Sequence, residues 1–200
     1  MKIISTNVNG IVYEMNLDDF TASITESPTA HSNGFIPRSI NHNNIDFIII
    51  KIKKGSFRCN NLIKSIEFSD DSELFSIGRE AFAESSVETI FFPPKLTVLK
   101  EGWCYKTCKL NRILVHSDNE NFKDFGDNLI LRKSEKNFYD VLVFVPRNSI
   151  SIEISSCVRC IDCYAFDSCK KLDSVKFSSD SALFSIHKSA FSESSIESIS

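Results

Sequence analysis

The sequence predicts an α/β solenoid of mostly short β-strands and single helical turns, with a β-hairpin cap at its N-terminal end. The main observation is a stretch that occurs twice, as FSDDSELFSIGREAFAESSVETI at 68–90 and as FSSDSALFSIHKSAFSESSIESI at 177–199. The two copies are identical at 15 of 23 positions without a gap, and the positions that they share include the apolar ones. A fixed period with an unchanged apolar frame is typical of stacked repeats, in which each unit buries its apolar face against its neighbours.

A second observation is a spacing that four segments share. An isoleucine is followed five residues later by a phenylalanine, as in Ile52/Phe57, Ile77/Phe82, Ile161/Phe166 and Ile186/Phe191. The distance between successive phenylalanines is 82 − 57 = 25 and 191 − 166 = 25 residues. We expect the isoleucine to lie in a short strand and the phenylalanine in one helical turn, which is too short to be stable alone. The 17 phenylalanines of the chain favour a stack with one ring per repeat.

A third spacing places three apolar residues on one side of another strand. It is found at Val87-x2-Ile90-x-Phe92, Leu110-x2-Ile113-x-Val115 and Leu172-x2-Val175-x-Phe177. Because side chains alternate between the two faces of a strand, the intervening residues face solvent. They are the candidate contact residues for a protein partner: Glu67, Thr89, Phe91, Arg112, Leu114 and Lys176. Phe91 and Leu114 together would form an exposed apolar spot that could anchor such a partner.

These patterns predict one solenoid over residues 1–200. Strand-like segments at 10–16 and 21–25 around a turn form the hairpin cap of residues 1–35, and repeats occupy 36–115. Residues 116–149 contain turn signals between strand-like segments and are predicted as a hairpin insert. Repeats resume over 150–200 and end in mid-repeat, since Ser200 is equivalent to Phe91 (91 + 109 = 200). Such an end leaves an apolar face and strand edges open, so either the natural chain continues, or it is a truncated copy, or this end self-associates with another chain.

The unit around 96–115 departs from the pattern. Its strand is predicted at 96–99, and Gly102-Trp-Cys-Tyr105 replaces the usual Gly-x-x-Ala-Phe. We place Tyr105 in the phenylalanine position and Trp103 beside the core, with a ligand-stacking role for Trp103 as the alternative.

The seven cysteines leave three interpretations open. Cys157-x2-Cys160-x2-Cys163 and Cys104-x3-Cys108 would suit zinc or disulfides, but neither a second CxxC pair nor a histidine lies nearby in the sequence. We predict no metal site and interpret Cys169 and Cys108 as small buried fillers of one repeat position.

Other functional classes lack support in the sequence. A net charge of −3 does not favour nucleic acid, and no apolar run is long enough for a transmembrane helix or a signal peptide. We predict no enzyme, no catalytic residue and no cofactor, because Cys163, His116 and Asp167 lie in no catalytic motif. The carboxylates of Asp118, Glu120, Asp124 and Asp127 do not match a calcium-loop spacing and are predicted to lie in a solvated turn.

The motifs resemble those of the BspA-type, or treponemal-type, leucine-rich repeat family. The resemblance is carried by Val87-x2-Ile90-x-Phe92-Pro93, Ile77-Gly78-x2-Ala81-Phe82 and Ala165-Phe166-x2-Cys169, and extends over nearly the whole chain. It implies a curved solenoid that binds proteins and has no active site. Family members resemble cell-surface proteins of bacteria and parasitic protists that act in adhesion, so the resemblance implies a surface antigen or adhesin. The alternative is an intracellular structural or self-assembling repeat protein, or a truncated copy, with no adhesive role.

Overall fold

In the computed structural model, which describes residues 2–31 and 33–200, every regular element is a β-strand. Met1 and Ser32 fall within the predicted 1–35 cap and lie outside the described residues. The strands are β1 (Ile3–Val8), β2 (Ile11–Asn16), β3 (Thr21–Ile24), β4 (Asn33–Ile36), β5 (Ser39–His42), β6 (Ile45–Ile52), β7 (Ser65–Phe68), β8 (Ser76–Ile77), β9 (Thr89–Phe92), β10 (Val98–Leu99), β11 (Arg112–Val115), β12 (Phe122–Asp124), β13 (Ile130–Lys133), β14 (Tyr139–Phe144), β15 (Ser151–Ile154), β16 (Cys160–Ile161), β17 (Ser174–Phe177), β18 (Ser185–Ile186) and β19 (Ser198–Ile199).

The strands form four sheets. Sheet 1 has the order β1-β2-β3-β6-β8-β10, with β5 also paired to β6, and sheet 2 has the order β11-β9-β7-β4. Sheet 3 has the order β12-β13-β14-β16-β18, and sheet 4 has the order β15-β17-β19. Successive coils pair in parallel, β6 with β8 in sheet 1 and β7 with β9 in sheet 2. Each coil thus adds one strand to each of two sheets, which confirms the predicted solenoid of short strands.

The N-terminal segment forms an antiparallel extension of sheet 1. β2 and β3 pair antiparallel with Met15 opposite Ala22, as expected for the predicted hairpin. β3 then pairs in parallel with β6, which joins the hairpin to the first coil. β1 pairs antiparallel with β2 and was not predicted, because Ile3–Val8 alternates weakly and faces mostly solvent.

The phenylalanine segments are not helical, so the prediction of single helical turns is wrong. We call the position of Phe57, Phe82, Phe166 and Phe191 the central position of each coil. The residues two before and two after it have positive φ; these pairs are Gly55/Cys59, Glu80/Glu84, Gly102/Lys106, Tyr164/Ser168 and Ser189/Glu193. A right-handed helix cannot include such residues. Instead, alternate amides serve different partners: Ala83 N–H donates to Glu80 C=O at 3.1 Å, whereas Phe82 N–H donates to Trp103 C=O of the next coil at 2.8 Å. These turns therefore continue the hydrogen-bond ladder between coils.

The predicted ring stack is confirmed within each pair of regular coils. The Phe57 and Phe82 rings are stacked with centroids 5.1 Å apart and planes at 5°, and the Phe166 and Phe191 rings are stacked at 4.5 Å and 18°. The stack stops at the intervening coil, where the central position is held by Cys104.

The register predicted for this intervening coil was wrong by one residue. Leu99 pairs in sheet 1 through the position of Ile77, and 99 + 5 = 104, so Cys104 rather than Tyr105 takes the phenylalanine position. Trp103 stands where the other coils have alanine or, at Ser56, serine, and it is only 5% exposed, which confirms its core location over the ligand-stacking alternative. Cys169, three residues after Phe166, is fully buried as predicted. The residue three after Cys104 is the buried Thr107, so Cys108 lies one residue beyond this position. The prediction of Cys108 as a buried filler is therefore wrong, because Cys108 is exposed.

Two hydrophobic clusters, the first containing Tyr13 and Phe82 and the second containing Phe166, meet at the predicted hairpin insert, which consists of the three antiparallel strands β12, β13 and β14. The buried Arg147 follows this hairpin, and its Nη1 donates to Val145 C=O at 3.2 Å and to Ala165 C=O at 2.9 Å. Lys106 N–H, which by analogy with Glu84 would reach a backbone carbonyl of the next coil, donates to Asp167 Oδ2 at 2.7 Å. Two charged side chains thus replace backbone pairing where the insert separates the coils.

Candidate interaction surface

Four parallel strands of sheet 2 place one row of side chains on the solvent face. Phe35 is in register with Glu67, and Phe91 is in register with Leu114. The pairing of Ile66 with Ile90 puts Glu67 beside Phe91, so these four residues form a continuous row across β4, β7, β9 and β11. We call this set the Phe35 row. Phe35 is 59% exposed, Glu67 is exposed, and Phe91 and Leu114 are half-buried.

The residues directly before the Phe35 row on the same strands point to the other face of the sheet, towards the core. Gly34, Ile66, Ile90 and Ile113 form the inward row, and the three isoleucines are fully buried there. This packing fixes the strand faces, because a one-residue slip would turn every outward side chain inward.

A second solvent-facing row lies two residues earlier on each strand. Thr89 pairs with Arg112, and Ser65 pairs with both Asn33 and Thr89. Ser65 Oγ donates to Asn33 Oδ1 at 3.3 Å. The predicted residues Thr89 and Arg112 therefore adjoin the Phe35 row and give it a polar border.

The sixth predicted contact residue lies elsewhere. Lys176 is in β17 of sheet 4, where it is in register with Glu153 of β15. Sheet 2 does not continue into sheet 4, because the side chain of Asn128 occupies the edge of β11. Asn128 Oδ1 accepts from Ile113 N–H at 2.6 Å, and Asn128 Nδ2 donates to Ile113 C=O at 2.9 Å. The structure thus brings five of the six residues together and leaves Lys176 on a separate surface.

The sequence reasoning missed Phe35. The segment Gly34-Phe-Ile-Pro37 matches Ile90-Phe-Phe-Pro93 in having an apolar residue and proline at the same offsets, so the repeat pattern contained the signal. The small Gly34 concealed it, because glycine takes the place of the inward isoleucine. A β-carbon at Gly34 would come within 2.7 Å of Ile66 Cδ1, which shows how closely β4 approaches β7.

A shallow cavity of about 310 Å³ adjoins Phe35. Its lining includes Val8, Ile11, Tyr13 and Ile40, so it extends the apolar part of the surface towards the N-terminal hairpin. Burial raises the pKa of the Tyr13 hydroxyl to about 12, so this phenol stays neutral even at alkaline pH values at which a free tyrosine ionises.

The side chains considered for catalysis have separate environments. His116 Nε2 is 3.9 Å from Asp70, and Asp167 is buried, where desolvation raises its pKa although Arg147 opposes the shift. Cys163 lies instead beside Asp162 and His187. Asp124 accepts from the amide of Gly126 at 3.0 Å within the turn of the insert. None of the described residues belongs to a helix that could cross a membrane.

Comparison with known families agrees with the fold. Six copies of the BspA type leucine rich repeat region match residues 15–129 and 142–200. The chain belongs to this BspA-type family. The unmatched segment, 130–141, covers all of β13 and the first half of β14, two strands that pair antiparallel.

Solved structures of leucine-rich repeat proteins have a similar fold. One from Eubacterium ventriosum aligns with a TM-score of 0.50 and 15% identity over 93% of this chain and 68% of its own. The leucine-rich repeat protein of T. pallidum aligns with a TM-score of 0.53 and 15% identity over 92% of this chain and 81% of its own. At these identities the likeness concerns the fold alone. No curated protein matches the sequence significantly.

Proposed function

We propose that this BspA-type protein is a non-enzymatic protein-binding module that engages its partner through the Phe35 row. The observation that carries the proposal is the alignment of Phe35, Phe91 and Leu114 on one solvent face of sheet 2. Aromatic and aliphatic side chains that are held on a rigid sheet make effective anchors for a partner, since little side-chain entropy is lost on binding.

The charged residues in and beside the Phe35 row indicate the chemistry of the partner. Glu67 lies within the row, and the exposed residue Arg112 lies two positions before Leu114 on the same face of β11. A partner with an apolar patch flanked by charges of both signs would match this arrangement, because complementary charges at the border direct association. Membership of the BspA-type family supports a protein of a host or neighbouring cell as this partner, and hence a surface antigen or adhesin.

The test compares a double variant, Phe91→Ala with Leu114→Ala, with the wild-type chain. Surface proteins from host cells and from neighbouring cells are captured on each immobilised chain, and circular dichroism checks that the variant remains folded. We expect the specifically bound protein to be retained by the wild type and lost by the double variant. Lys176→Ala is the matched control, because it removes an outward side chain from sheet 4. Equal capture by the folded double variant would reject the Phe35 row as the binding surface.

A further inference from the structure

The stacking of two coils brings together a group of cysteine, histidine and aspartate side chains. β16 pairs in parallel with β18, with Cys160 opposite Ser185 and Ile161 opposite Ile186. His187, which follows β18, donates its amide to Ile161 C=O at 2.9 Å and therefore lies next to Asp162. Ligand atoms of Asp162, Cys163 and His187 all lie within 4.8 Å of one another. It is the one such group among residues 2–31 and 33–200.

The imidazole of His187 is held from both sides. Its Nδ1 is 3.1 Å from Asp162 Oδ1, and its Nε2 is 3.3 Å from Cys160 Sγ. Asp162 Oδ1 also accepts from Cys163 N–H at 2.8 Å, while Asp162 Oδ2 is 3.3 Å from Arg132 Nη2. The group is half-exposed, since the side chains of His187 and Asp162 are 45% and 28% accessible, so an ion could reach it from solvent.

The equivalent coils in the first half of the chain have no metal-ligating side chains at these positions. The register of β6 with β8 makes Lys51 equivalent to Cys160, so Asp162, Cys163 and His187 correspond to Lys53, Lys54 and Gly78. At Gly78 a β-carbon would come within 2.6 Å of the Lys53 backbone, so glycine allows the coils to approach. Three lysines and a glycine are thus replaced in the second half by two cysteines, an aspartate and a histidine. The solenoid fold does not require these residue types.

We propose that Asp162, Cys163 and His187 bind a zinc ion, with Nδ1 of the imidazole as the nitrogen ligand. Thiolate, imidazole and carboxylate are the ligands that zinc prefers, and a site with three protein ligands leaves one tetrahedral position for water. Two ligands of nitrogen and oxygen on one tetrahedral zinc are separated by about 3.4 Å, as the usual bond lengths of about 2.1 Å require. The observed 3.1 Å between Nδ1 and Oδ1 is close to this value. Cys163 Sγ completes the set by a rotation of its side chain.

The surrounding groups suit this assignment. Cys160 faces Nε2 and holds the ring in place, as outer partners of metal-bound histidines do. When the ion binds, the Cys163 thiol releases its proton to water, and the thiolate and the Asp162 carboxylate neutralise the two charges of Zn²⁺. Arg132 remains on the other carboxylate oxygen, so it orients Asp162 and does not compete for Oδ1.

Titration with Co²⁺ tests the site, because a cobalt ion bound by thiolate absorbs strongly and its spectrum reports tetrahedral geometry. The full-length chain is reduced, treated with a chelator, and titrated with Co²⁺ and then with Zn²⁺. We expect one Co²⁺ per chain, with thiolate-to-cobalt absorption that Zn²⁺ abolishes. Cys163→Ser should remove this absorption, and His187→Gly should weaken binding by at least about 100-fold. The second variant introduces the residue of the equivalent coil and should therefore fold.

The exposed cysteines supply the controls. Cys59→Ser and Cys108→Ser should leave the absorption and the stoichiometry unchanged, since both thiols lie outside the group. Added Zn²⁺ should raise the melting temperature of the wild type and not that of His187→Gly, because a ligand stabilises only the state that binds it. The proposal would be overturned if the folded wild type gave no cobalt absorption. It would also be overturned if the absorption survived in Cys163→Ser, or depended on Cys59 or Cys108.

Discussion

Single residues in the N-terminal hairpin are buried as deeply as the residues of the repeats. Tyr13 in β2 is 2% exposed and points into the first hydrophobic cluster. Its hydroxyl is neutral when buried, because the interior does not solvate a phenolate, and its pKa is raised to about 12. A free tyrosine titrates near 10, so the folded and unfolded states bind different numbers of protons between these values.

Alkaline pH should therefore destabilise the protein through Tyr13. The contribution of Tyr13 to the free energy of unfolding is fully present below the pKa of about 10 in the unfolded state. It is lost as the pH rises towards the pKa of the folded state, at about 1.4 kcal/mol per pH unit. We expect a loss of about 2–3 kcal/mol between pH 10 and 12, measured by urea unfolding at each pH. In Tyr13→Phe this part of the pH dependence should disappear, and an unchanged pH profile in that variant would contradict the assignment.

At the scale of elements, the repeated turns supply equivalent residues in different surroundings. Phe82 is fully buried, stacked on Phe57 and in edge contact with Trp103 at 6.4 Å. Phe191 occupies the same position in the last coil and stacks on Phe166, but it is only half-buried. The two phenylalanines thus differ in what covers their second face, and the turn around each has the same backbone conformation.

Truncation of these two rings should have unequal costs. Phe82→Ala should lower the free energy of unfolding by about 3–5 kcal/mol, because the cavity lies within packed coils, and Phe191→Ala should cost roughly half as much. Chemical denaturation of both variants checks the difference. If Phe82→Ala does not fold, the variants Phe82→Leu and Phe191→Leu repeat the comparison with a smaller loss of stability. Equal losses would show that the last coil is as well covered as the inner ones.

At the scale of the whole molecule, the two hydrophobic clusters are connected by buried charge as well as by apolar packing. Arg147 donates to carbonyls of both the insert and the following coil, contacts Cys104 Sγ at 3.2 Å, and lies over the Phe144 ring at 4.9 Å. The buried Asp167 receives Lys106 N–H from the first half of the chain. Since nearest-neighbour contacts determine the cooperativity of a solenoid, this junction determines whether the halves unfold together.

Loss of the guanidinium should weaken this coupling. Arg147→Met retains much of the apolar stem over Phe144 but leaves Asp167 without its nearby positive charge, so we expect a loss of about 3–5 kcal/mol. The urea transition should also broaden as the two clusters begin to unfold separately. Arg58→Met removes two exposed ion pairs and should change stability by less than about 1 kcal/mol. An unbroadened transition with an unchanged midpoint in Arg147→Met would contradict a coupling role.

Much of the solenoid could be predicted because its apolar spacing is local. The strand positions of Ile77 and Ile90 and the stacked phenylalanines follow from that spacing and lie in the expected places. Phe91 and Leu114 are in register on neighbouring strands, as the spacing predicts, but they are half-buried and not the fully exposed apolar spot that we expected. The helical turns were wrong because short Ala-Phe segments satisfy helical propensity equally well, and the left-handed residues around them are selected by hydrogen bonds to the next coil. Tyr105 was misplaced for a different reason: this repeat is shorter, with 104 − 82 = 22 residues between Phe82 and the equivalent Cys104 instead of 25.

The sequence alone determined which side chains of each coil turn inward, because burial of an apolar frame at fixed spacing is a property of the local chain. Only the tertiary structure decided which coils are neighbours. It separated Lys176 from the Phe35 row, put Arg147 and Asp167 between the two halves, and placed His187 beside Cys160 and Cys163. The physical reason is that inter-coil contacts join residues far apart in the sequence, as in the pairing of Val98 with Ser76 (98 − 76 = 22), and the length of each turn and the presence of an insert decide the pairing.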